Sequence, residues 1–181
     1  MAWTRTSRLV IALAAASLTG GCFEPLYGSR PAVDSESIHD KLAMVDVPMP
    51  KAGRGRPEQR VASVMHNELL FDFNGGSGVT APLYRLEVAV SEQGLTTIID
   101  LTSGRPDAQV QSVIANYSLV EIATGKTVIR DSTFAHVDYD IPGSAQRFAA
   151  DRAQRDAEDR ATKVVAENIR NRLASYFLAG T

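Results

Sequence analysis

The sequence predicts an α+β domain: a two-layer sandwich with a four-stranded sheet and two helices on one face, in the order β-α-β-β-β-α. Three observations carry this. Between Leu83 and Ser91, Tyr84, Leu86, Val88 and Val90 alternate with Arg85, Glu87, Ala89 and Ser91, the period of a strand whose sheet is covered on one side only. Two more strand-like runs follow it, joined by a short turn. Two segments, one before this sheet and one after it, carry an apolar stripe at helical spacing. Laying both helices on the covered face buries every stripe at once.

The elements follow in order. Ile38 to Val47 is expected to be the first strand, with Ala43, Val45 and Val47 alternating with Leu42, Met44 and Asp46, and with Pro48 and Pro50 ending it. Lys51 to Pro57 is a basic loop, and Pro57 suits a helix's first turn, where its missing N–H leaves nothing unpaired. Val61, Val64, Met65 and Leu69 then place one stripe on a helix that runs to about Phe71, before Asn74-Gly75-Gly76-Ser77-Gly78 breaks it. The strand at Leu83 to Ser91 is followed by Glu92 to Pro106, either its continuation or a rim. Ala108 to Ile122 and Thr127 to Tyr139 are the last two strands, and Gly125 in the Ala123–Lys126 hairpin supplies a positive φ. If the first two strands lie parallel in one sheet, the helix between them makes a crossover connection.

Ala145 to Phe177 is the longest helix, with Ser144 as its expected N-cap. Its stripe is Ala153, Ala157, Ala161, Val164, Val165, Ile169, Leu173 and Phe177. Its other face spaces opposite charges four residues apart: Asp151 with Arg155, Asp156 with Arg160, Asp159 with Lys163.

Ahead of the domain, residues 1–21 have the form of a secretory leader. Arg5 and Arg8 precede an apolar run from Leu9 to Leu18, too short to span a bilayer, and small residues close it. The single cysteine of the chain, Cys22, follows directly. A lone cysteine there is expected to be the acylated first residue of a bacterial lipoprotein. Stable anchoring takes at least two acyl chains, each buried methylene adding about 0.8 kcal/mol. Residues 22–37, rich in Pro, Gly and Ser, then read as a lipidated tether to a domain over 38–181. Without the leader's two arginines, 17 of the 19 basic residues remain against 21 acidic ones. Such a balance argues against a nucleic-acid partner, because neutralising phosphates takes clustered positive charge.

Residues capable of chemistry are present but do not converge. His39, His66 and His136 sit in separate elements, and His66 lacks the second histidine of a helical zinc site, so no metal is expected. Gly53-x-Gly55 and Gly75-Gly76-x-Gly78 lack the lysine and hydroxyl of a phosphate loop, and no serine lies in a nucleophile elbow. Asp138 and Asp140 flank Tyr139 as solvated charges at a strand end rather than as an acid/base pair. Asn116-Tyr117-Ser118 has the form of a glycosylation acceptor but falls mid-strand. The expectation is a non-enzymatic module without catalytic residues or cofactor.

Phe23-x-Pro25-Leu26-Tyr27-Gly28, directly behind Cys22, resembles the lipopolysaccharide-assembly lipoproteins called LptE in their alphaproteobacterial form. In that family the usual order is Cys-Gly-Phe-x-Pro-Leu-Tyr-Gly, whereas here Gly21-Cys22-Phe23 exchanges the first two. The other end of the chain is similar to the same family: Ala149-x-x-Arg152-Ala-x-Arg155-Asp156-Ala157-x-x-Arg160-Ala161, then Ile169-Arg170-x-Arg172-Leu173-Ala174-x-Tyr176-Phe177. The resemblance implies an outer-membrane lipoprotein that plugs the LptD β-barrel, helps assemble it and meets lipopolysaccharide. Arg85, Arg105, Lys126 and Arg130, on loops and on the open face of the sheet, are the candidates for lipid-A phosphates. The alternative is an envelope lipoprotein acting as a lipid carrier or scaffold outside any barrel.

Overall fold

The computed structural model describes residues 38–99, 106–140 and 147–179. Their order is α1 (Ile38–Ala43), β1 (Val45–Asp46), β2 (Lys51–Ala52), α2 (Arg56–Asn74), β3 (Tyr84–Ile99), β4 (Pro106–Glu121), β5 (Thr127–Asp140) and α3 (Arg147–Ala179). Strands β3, β4 and β5 form an antiparallel meander, and β1 and β2 both pair with β3 in parallel. The result is an open mixed sheet of five strands with helices on one face, an α+β fold.

The start of the domain differs from the expected strand over Ile38 to Val47. Residues 38–43 are helical, and only Val45 and Asp46 pair as a strand. Ile38 and Leu42 lie four apart on one helical face, and Leu42 is buried, while Val45 and Val47 bury at strand spacing immediately afterwards. Two periods abut within ten residues and together imitate one strand. The edge beside β3 is correspondingly split in two, at Val45↔Tyr84 and Lys51↔Ala89, with Pro48 and Pro50 between the halves. Proline cannot donate to a sheet ladder, so the interruption falls where the chain lacks the N–H groups to fill it.

Helix α2 runs three residues past the expected stop at Phe71. Phe71 is 69% exposed, but Phe73 is fully buried and adds another turn to the Met65–Leu69 stripe. Gly75 then closes the helix in the left-handed region at φ 65°, its N–H donating to the Phe71 carbonyl while Gly76 N–H reaches Leu70, the paired bonds of a Schellman cap.

Beyond Ser91, β3 continues to Ile99, so Glu92 onward extends the strand rather than forming a rim. Its partner β4 is equally long, and the register holds from Tyr84↔Glu121 to a bulge near Ile98. Sixteen residues extend about 50 Å. The β4–β5 hairpin turns as expected, with Gly125 at φ 68°. Ser144 and Ala145 lie outside the described residues.

The inner face of the sheet presents Leu86, Val88, Val90, Val113, Ala115, Tyr117, Leu119 and Ile129 to the helices. Val61, Met65, Leu69 and Phe73 meet it from α2; Ala161, Val165, Ile169, Leu173 and Phe177 meet it from α3. The alanines of α3 let the helix axis lie close to the strands. Val164, placed in the stripe by its spacing, is 43% exposed instead. Adjacent residues on a helix point about 100° apart, and Val165 holds the buried position. Of the charge pairs expected along α3, Asp156–Arg160 forms at 2.8 Å. Asp159 and Lys163 instead reach across to Arg60 and Glu68 of α2, tying the two helices together.

Candidate functional site: the open face of the sheet

The outward residues of the sheet follow from the alternation that buries the inward ones. Glu87, Ser118 and Arg130 are aligned across β3, β4 and β5; Ala89, Asn116 and Ser132 form the next row, with Lys51 of β2 opposite Ala89. These side chains line a shallow groove of about 430 Å³, together with Asp131. Its floor is small and mostly polar, two serines, an asparagine and an alanine, and its charged lining is two cations, Lys51 and Arg130, with two carboxylates, Glu87 and Asp131. Lys51 Nζ lies 3.6 Å from Glu87 Oε2, both side chains well exposed, which makes a loose, solvated pair. Arg130 is exposed and, among the described residues, has no ion-pair partner within 4.0 Å. Farther along β5, His136 lies against the exposed ring of Phe134, centroids 4.9 Å apart.

The candidate phosphate-binding residues are thus only partly brought together. Arg85 shares the open face with Arg130 but is engaged by Asp46, Nε to Oδ2 at 3.1 Å. Lys126 sits in the β4–β5 hairpin, where its backbone N–H donates to Thr124 Oγ1 at 3.2 Å. Arg105 and Cys22 lie outside the described residues. Lys51 is the cation that sequence reasoning missed. By sequence it belongs to the basic loop over Lys51 to Pro57, and only its pairing with β3 turns it onto the open face.

The remaining titratable residues have structural surroundings. His66 Nε2 donates to the Val47 carbonyl at 3.0 Å, fastening α2 to the segment after β1. His39 and His136 are exposed on separate elements, and Asp138 and Asp140 are exposed along β5. Burial raises the Asp72 pKa; Glu167 adds to the rise, and Arg170, 3.5 Å away, opposes it. Burial likewise raises the Tyr117 phenol, with Asp131 contributing. Among the described residues no group of three or more metal-ligating side chains comes together.

A second polar cluster lies between the N-terminal end of α2 and the middle of α3. Glu158 is only 2% exposed. Arg60 donates through Nη2 to Glu158 Oε2 and through Nη1 to Asp159 Oδ1 at 2.6 Å, while Gln154 Nε2 reaches Glu158 Oε1 at 2.9 Å. Burial opposes the guanidinium's charge, but the two carboxylates outweigh it and hold the Arg60 pKa above its ordinary value. Ion pairing holds the cluster together. What the open face offers instead is non-covalent recognition: hydrogen-bonding side chains between two exposed cations.

No protein-family model matches the chain, and no curated protein does. Solved structures share its fold. A candidate lipoprotein from Caulobacter crescentus matches with 23% identity over 80% of this chain and 97% of its own, at a TM-score of 0.58. Rare lipoprotein B from Shewanella oneidensis matches with 13% identity over 75% of this chain and 96% of its own, at 0.54. At these identities the likeness is one of fold. Among the described residues no helix is long and apolar enough to cross a membrane.

Proposed function

We propose that this chain is an outer-membrane lipoprotein of the LptE type, anchored through acyl chains on Cys22, that plugs and helps assemble an LptD β-barrel in lipopolysaccharide transport. One observation carries the reading: the Cys22-Phe23-x-Pro25-Leu26-Tyr27-Gly28 segment and the α3 pattern resemble one family at both ends of a chain whose fold is also that of lipoproteins. The work is mechanical and electrostatic rather than catalytic. Anchoring raises the local concentration of the domain beside its partner, and a packed body with a polar, charge-mixed exterior suits a water-lined barrel lumen. Lys51 and Arg130 at the rim of the open face would meet lipid-A phosphates, with Lys126 in the adjacent hairpin.

The rival reading, a lipid carrier or scaffold outside any barrel, calls for an apolar cavity to hold acyl chains. Phe73, Met65, Leu69, Leu86, Leu119, Ile169 and Leu173 instead fill the space between sheet and helices at 2% exposure or less. Depletion of the protein tests the proposal. The amount of correctly assembled partner barrel should fall, and the outer membrane should become permeable to bulky hydrophobic antibiotics. Normal barrel levels with an intact permeability barrier would remove the assignment.

A further inference from the structure

Glu92 continues the alternation of β3 onto the helix-covered face, two residues beyond Val90, in register with buried Val113 of β4. It thus places a half-buried carboxyl on the face that Leu86, Val88 and Val90 line with hydrocarbon. The groups around it come from three elements. From β4, Gln111, itself 2% exposed, brings its Nε2 to 3.4 Å from Glu92 Oε2. From α2 come Glu58 and Arg60, and from α3 comes Glu158. On β5, Tyr139 feels the same Glu158 charge, and its hydroxyl donates to Gln109 of β4.

Among the described residues, Glu92 is short of countercharge. The one cation among these groups, Arg60, already serves Glu158 and Asp159. Both oxygens of Glu158 are occupied, by Arg60 and Gln154. Glu58 turns back over Gly55 at the start of α2, where a Cβ on that glycine would come 1.8 Å from its Oε2, and this oxygen is buried without a hydrogen-bond partner. Three glutamates therefore face one committed arginine. Ionising Glu92 as well places like charges together beside the apolar layer, and the cheapest relief is to keep a proton on Glu92.

We propose that Glu92 is a proton-dependent latch: protonated, it closes the polar cluster joining β3 to the start of α2 and the middle of α3, and ionised, it loosens that junction. The direction of its titration agrees. Burial first, then the charges of Glu158 and Glu58, push the Glu92 pKa up to about 7, with Arg60 opposing. An ordinary glutamate titrates near 4.5. Between these two values the folded chain holds a proton that the unfolded chain has released. Stability therefore falls as pH rises through this window and levels off above it.

Thermal unfolding of the full chain, followed by circular dichroism from about pH 5 to about pH 8.5, tests the latch when wild type is compared with Glu92→Gln. The glutamine keeps the shape of the protonated acid and cannot ionise. Other groups titrate in the same range, so the reading is the difference between the two curves. That difference should be small at the acidic end, with the variant's Tm rising above the wild type's as pH climbs towards about 7 and the gap levelling off above neutrality. Parallel curves would overturn the proposal. A carbon NMR titration of the Glu92 carboxyl in the wild type gives the same decision without relying on the variant's folding: a midpoint near neutrality supports the latch, and one in the ordinary glutamate range refutes it.

Discussion

Arg60 on α2 reaches across to Glu158 on α3 and supplies the countercharge for a carboxylate that is almost wholly withdrawn from solvent. The pair spans elements nearly a hundred residues apart in the chain and closes the end of the helical layer. Removing one partner strands the other, and a buried carboxylate without its cation is strongly unfavourable. Arg60→Ala should therefore destabilise the domain by about 3 kcal/mol. Denaturant unfolding measures it, and a change within a few tenths of a kcal/mol would mean that Glu158 is neutralised by other means.

The layer of the fold makes a sharper contrast along α3. Val165 is fully buried against the sheet, whereas the Asp156 side chain is mostly exposed and pairs with Arg160 on its own helix. Val165→Asp should prevent stable folding, because it places an unpaired charge in the core. Asp156→Ala should cost less than about 1 kcal/mol. Thermal melts that rank the two alike would contradict the buried face assigned to α3.

Charge on the open face gives a third prediction. Replacing Lys51 and Arg130 together by alanine should weaken binding of the protein to purified lipopolysaccharide and flatten its dependence on salt, since screened attraction to phosphates is what the two cations contribute. Arg85→Ala should change binding less, because Asp46 already engages that guanidinium. A binding titration at two ionic strengths distinguishes these outcomes. Equal losses from Arg85→Ala and from the double variant would mean that the groove is not the contact.

Anchoring gives the fourth. Cys22→Ala removes the thiol that acyl transfer requires, so the variant should incorporate no labelled fatty acid and should leave the membrane fraction. Label retained on the alanine variant would exclude the lipoprotein reading.

Much of the fold was legible wherever a single period governed a segment. The first half of β3 shows its two faces in nine residues, and Arg130 could be assigned to the open face by the same alternation that buries Ile129. Legibility failed where two signals overlapped or where a neighbour decided. Ile38 and Leu42 are helical partners whose spacing runs straight into the strand spacing of Val45 and Val47. Lys51 follows two prolines, and nothing local distinguishes a loop lysine from one turned outward by pairing with Ala89 of β3. Glu92 is the instructive case. Its position on the covered face was readable from Leu86, Val88 and Val90, but its lack of a cation depends on Arg60 being committed to Glu158 and Asp159, which only the packing of α2 on α3 establishes.

The proposed function places this domain inside a barrel. Affinity purification of the tagged full chain from detergent-solubilised outer membranes tests it most directly. The account predicts that a large β-barrel protein co-purifies in equal proportion, survives high salt because the contact is broad, and shields the open face of the sheet from labelling at a cysteine introduced by Ser132→Cys in a Cys22-acylated background. Recovery of the chain without a barrel, with Ser132→Cys labelled as readily in membranes as in the purified protein, would contradict it.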